Sequence, residues 1–80
     1  MIEKVLISDD LINFLERRNL DKQYKKAKNY LLDGYFEKIR FKLKEPKKDG
    51  IYYFRINIQF RALCKLEGNI LKVFDIDNHQ

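Results

Sequence analysis

The spacing of apolar positions changes several times along the chain, and each change predicts a new element. Residues 2–7, "IEKVLI", are short and rich in branched side chains, the pattern of a strand. Leu11, Phe14 and Leu15 then fall on one face at helical spacing. Ser8 or Asp9 can cap that helix, because their side-chain oxygens accept free N–H groups of a first turn. "RRN" at 17–19 closes it with basic residues at the carbonyl end. A second helix follows. Asp21 can cap it, Tyr24, Ala27 and Leu31 form its inward stripe, and Lys22, Lys25, Lys26 and Lys28 lie mostly off that stripe. Gly34 can end it in a left-handed cap. So short a turn between the helices predicts an antiparallel hairpin.

From Ile39 the period becomes two. "IRFKLK" at 39–44 sends Ile39, Phe41 and Leu43 one way and Arg40, Lys42 and Lys44 the other, which predicts a strand. Pro46 and "DG" at 49–50 mark a loop. Residues 52–66 read as strand but are too long for one ordinary strand of about 5–6 residues. They need a bend, and Asn57 suits it best, although the branched Ile58 beside it resists a positive φ. "EGN" at 67–69 is a hairpin turn, and "ILKVFDID" is the last strand. The order β-α-α-β-β-β predicts an α+β fold: a helical hairpin packed on one face of a mainly antiparallel, twisted sheet. The other face is left to polar side chains.

Eighty residues without repeat, linker or low-complexity tract predict one domain, 1–80. A chain this short buries a thin core. A hydrophobic fraction of 45% still sets it apart from disordered chains. The net charge of +5 has two readings, solubility or an anionic partner. Nucleic acid and an acidic protein are both candidates for that partner. Cys64, the one cysteine, lies in an apolar strand and is expected to be a buried structural thiol. One histidine and one buried cysteine cannot supply a usual metal-ligand set, so neither metal nor cofactor is expected. No apolar stretch suits a signal peptide or a membrane span, and the expectation is a cytoplasmic protein that binds no membrane.

Arg55 and Arg61 flank the bend and should lie on neighbouring strands of the open face. Arginines there are ordinarily just solvated. Two close guanidiniums repel each other, however, and each presents a planar donor fork that suits a phosphate. Asn57 and Gln59 add neutral donors. Arg40, Lys42, Lys44, Lys47 and Lys48 form a basic run with Glu45 as its only acid. Tyr52 and Tyr53 offer rings on which unpaired bases can stack. His79 follows the last strand and is the side chain that titrates nearest neutrality.

With this order of elements, the "FR" pair at 60–61 and the "DNH" ending, the whole chain resembles the RelE/ParE toxins of bacterial and archaeal toxin–antitoxin pairs. "EPKKDGIYYFRI" looks like the pattern of the YoeB branch, and "RINIQFR" like the arginine-bearing hairpin of HigB-type toxins. The resemblance implies a ribosome-dependent messenger-RNA endoribonuclease in which a ribose 2′-OH attacks its own 3′-phosphate. Arg61 would hold the scissile phosphate, Arg55 would neutralise the transition state, His79 would act as acid and Glu45 as base. Lys42, Lys44, Lys47, Lys48, Tyr53 and Gln59 would bind RNA. The partners implied are an acidic antitoxin, the ribosome and messenger RNA. A gyrase poison of the ParE kind, or a binding protein of this fold without toxicity, are the alternatives.

Overall fold

The computed structural model describes residues 1–78. Strand β1 is Lys4–Ile7, and helices α1 (Asp9–Arg17) and α2 (Asp21–Leu32) follow. A 3-10 turn at Phe36–Ile39 leads to β2 (Lys42–Leu43), and a second at Lys47–Asp49 leads to β3 (Ile51–Arg55). Strands β4 (Phe60–Glu67) and β5 (Ile70–Asn78) complete one sheet in the order β1-β5-β4-β3-β2. β1 runs parallel to β5, and the other pairings are antiparallel. This is the α+β plan expected from the sequence.

Local chemistry accounts for most boundaries. The Ser8 hydroxyl accepts the Leu11 N–H at 3.3 Å and opens α1. Tyr24, Ala27 and Leu31 are all buried, as the stripe requires, and Gly34 takes a φ of 83° after α2. Asp21 is not the cap of α2. The cap position is Leu20, which makes no side-chain bond there and is instead buried in the core. The alternation at 39–44 also has another origin. Ile39 is buried at the end of a 3-10 turn, Arg40 turns left-handed at φ 52°, and only Lys42–Leu43 pair as strand. A period of two reports which side is buried, and a short turn can satisfy it without a ladder.

The core joins the inward faces of the helices to one face of the sheet. Leu15, Leu31, Phe54, Ala62, Cys64 and Leu71 are fully or almost fully buried. Burial pushes the Cys64 thiol well above its ordinary pKa and, together with the nearby Cys64, the Tyr24 phenol as well. The expected inert thiol is what the fold contains.

One irregularity matters for the opposite face. Between β4 and β5 the register shifts, so that Leu63 faces Asp75 while Cys64 faces Val73. The extra residue, Phe74, resets the alternation of β5. Leu71 and Val73 point into the core before the bulge and Ile76 after it. Asp77 is thereby turned onto the open face, directly opposite Arg61.

Candidate anion-binding site

The bend predicted near Asn57 is a tight connection between β3 and β4, and the Asn57 side chain builds it. Its Oδ1 accepts the N–H groups of Gln59 at 2.8 Å and Phe60 at 2.7 Å. Its Nδ2 donates to Oε1 of Gln23 on α2 at 2.9 Å. Neither Asn57 nor Ile58 has a positive φ, so the branched neighbour presents no difficulty. The amide is therefore spent on structure and is not the free donor that the sequence suggested.

This closed turn puts Arg55 and Arg61 at directly opposed positions of β3 and β4. They line a cleft of about 170 Å³ together with Arg40, Lys42, Tyr53 and Gln59. Asn57, Ile58 and Phe60 complete the wall, and no acid contributes to it. Register explains the membership: Lys42 faces Tyr53, two residues before Arg55 on the same side of the sheet.

Arg61 is not the unengaged cation that the sequence suggested. Its Nε donates to Oδ2 of Asp77 at 2.8 Å, with side-chain exposures of 18% and 36%. Its guanidinium lies 4.8 Å from the centroid of the Tyr53 ring. The carboxylate and the ring fix its plane, while its terminal nitrogens have no hydrogen-bond partner among the described residues. Arg40, Lys42 and Arg55 form no ion pair among those residues. Four cations against one carboxylate leave the cleft positive. A planar fork held from behind is suited to a tetrahedral oxyanion.

Sequence reasoning placed Arg40 only in the basic run and passed over Asp77. The signal for Asp77 was present: apolar residues at 71, 73 and 76 break the period of two. Of the other expected site residues, Lys44, Glu45, Lys47 and Lys48 do not line the cleft. The Lys44 N–H bonds to the Ile51 carbonyl, so Glu45 sits past the start of β3, while Arg55 is at its end. The separation along the strand is roughly 13 Å. Glu45, Lys47 and Lys48 are exposed, and the one side-chain bond here is Lys44 Nζ to the Glu45 carbonyl at 3.4 Å. His79 lies outside the described residues.

Fold and cleft together define a small α+β protein that presents clustered cations on the open face of its sheet. Comparison with solved structures aligns 95% of this chain with 95% of a chain of the heterotetrameric YoeB–YefM toxin–antitoxin complex from Staphylococcus aureus. The TM-score is 0.67 and the identity 18%. At that identity the likeness is one of fold. No family model matches the chain, and no curated protein does. No helix among the described residues is long and apolar enough to cross a membrane.

Proposed function

We propose that this chain is the toxin of a toxin–antitoxin pair and acts as a ribosome-dependent messenger-RNA endoribonuclease. The observation that carries the proposal is the pair of opposed arginines, Arg55 and Arg61, in an acid-free cationic cleft on a YoeB-like fold. Arg61, oriented by Asp77 and Tyr53, grips the scissile phosphate through its terminal nitrogens. Arg55 neutralises the charge that builds on the phosphorane. The 2′-oxygen bonds to phosphorus as the bond to the 5′-oxygen breaks, giving a cyclic phosphate and a free 5′-hydroxyl. The 2′-proton leaves to a base, and a proton reaches the departing 5′-oxygen. The sequence resemblance assigns that second proton to His79. Glu45 serves as base only if messenger RNA or the ribosome draws the 44–50 loop toward the cleft. Lys44, Lys47 and Lys48 then attract RNA backbone from outside the cleft.

The test is expression of wild type, Arg61→Ala and Arg61→Lys, with message 5′ ends mapped after brief induction. Wild type arrests growth and cuts messages. Arg61→Ala lowers cutting by about 10²-fold, the scale of losing one preorganised oxyanion donor. Arg61→Lys recovers only part of it, since a point charge replaces a fork. Circular dichroism should show all three folded. Full cutting by Arg61→Ala overturns the site, and arrest without cut messages overturns the nuclease.

A further inference from the structure

Arg55 borders a second depression on the other side of the β3–β4 connection. It is an open groove of about 540 Å³ between α2 and that connection. Three cations, Lys26, Lys38 and Arg55, stand around a floor of Ala27, Ile39 and Ile56. No carboxylate lines the groove, and none of the three cations forms an ion pair among the described residues. Ile58 on its rim is 87% exposed, an aliphatic side chain that its own chain leaves uncovered.

We propose that this groove docks an acidic segment of a partner polypeptide. An aliphatic side chain of that segment rests on the floor and against Ile58, and its carboxylates meet Lys26, Lys38 and Arg55. The inference rests on the toxin reading only in expecting a protein partner. Charge complementarity requires an anion, and the floor decides which kind. Aliphatic carbons offer nothing to ribose or phosphate. The one ring in the wall, Tyr30, is already engaged, with Lys38 Nζ 5.6 Å from its centroid and the Tyr35 ring edge-on at 6.2 Å. It is poorly placed to stack on a base. Because Arg55 lines both depressions, a segment in the groove competes for the cation that the cleft needs. By linkage, each ligand weakens the other by the same factor.

The test titrates isotope-labelled protein with two probes and follows backbone amides. One probe is a twelve-residue peptide of aspartates and glutamates carrying two leucines. The other is a hexauridylate with 2′-O-methyl sugars, which cannot be cut. The peptide should shift the amides of Ala27, Ile39 and Ile58, and the oligonucleotide those of Tyr53 and Arg61. Lys26→Glu with Lys38→Glu should weaken the peptide by about tenfold or more and leave the oligonucleotide within about twofold. Saturating peptide should weaken the oligonucleotide. Absent groove shifts, unchanged peptide affinity in the double variant, or an oligonucleotide that shifts the groove instead would overturn the proposal. An oligonucleotide that leaves the cleft unshifted while the peptide still seats would remove support for the nuclease and leave the groove assignment standing.

Discussion

Two basic segments of this chain look alike in sequence and differ in structure. Residues 40–48 carry five cations and one acid, and residues 55–61 carry two cations and two amides. The richer run spreads along an exposed loop around a two-residue strand, and only Arg40 and Lys42 reach the cleft. The poorer segment is a closed hairpin end. Three hydrogen bonds from Asn57 fix it, and Asp77 and Tyr53 hold one of its arginines. Surface charge alone attracts an anion without placing it. A backbone closed on itself turns two repelling guanidiniums into a fixed pair, and the cost of holding them is borne by hydrogen bonds and core packing rather than by the ligand.

Asn57→Ala is the sharpest way to break that contrast. It removes the acceptor for two backbone N–H groups and the link to Gln23. The expected loss is about 1–2 kcal/mol of stability, read from urea unfolding, since half-buried N–H groups lose their partner. The more telling readout is cutting, which should drop by about tenfold or more in the folded protein as Arg55 and Arg61 lose their register. Gln23→Ala removes only the link to α2 and should produce a smaller drop of the same kind. Unchanged cutting by folded Asn57→Ala would show that the arginines hold themselves in place.

A smaller effect is expected at the root of the hairpin. Tyr24 packs its ring 6.1 Å from that of Phe54 on β3, and its hydroxyl is buried without a hydrogen-bond partner among the described residues. Tyr24→Phe should therefore stabilise the fold by about 1 kcal/mol and leave cutting unchanged. The same burial gives an alkaline signature. The phenol of Tyr24 and the thiol of Cys64 are raised from ordinary values of 10.0 and 9.0. In the unfolded chain both groups ionise near those values, and in the folded chain both keep their protons. The folded state thus binds more protons above about pH 9, and stability falls as pH rises from there. Tyr24→Phe should flatten the part of that fall above about pH 10. An identical slope in the variant would mean that Cys64 alone is responsible.

Much of this was legible in the sequence. The helix faces, the Gly34 cap and the bend at Asn57 follow from local spacing and side-chain chemistry, which need no partner element. The features that escaped depend on register. The bulge at Phe74 is visible only as a change of phase, and it decides that Asp77 meets Arg61. The strand expected at 39–44 is mostly a turn, because burial on alternate sides can be met by a left-handed Arg40 as well as by a ladder. The grouping of the basic residues depended on where β2 ends, and two residues of pairing are too few for propensity to mark. His79 lies outside the described residues, and its expected role stands on the sequence alone.

The smallest expected effect tests the other half of the contrast. Lys47 and Lys48 lie in the exposed 3-10 turn, have no hydrogen-bonded or ion-pair partner among the described residues and do not line the cleft. If they act on RNA, they act as mobile point charges whose attraction is screened over about 10 Å at ordinary salt. Replacing both with alanine should lower affinity for the uncut hexauridylate by less than about threefold. The dependence of binding on salt should become shallower, since fewer counterions are released. Cutting of bound RNA should keep its rate, because neither lysine meets the phosphate that reacts. A loss as large as that of Arg61→Ala would mean that the loop folds over the cleft when RNA binds. The exposed run would then share in positioning the phosphate, and Glu45, carried on the same loop, would come within reach of the reacting 2′-hydroxyl.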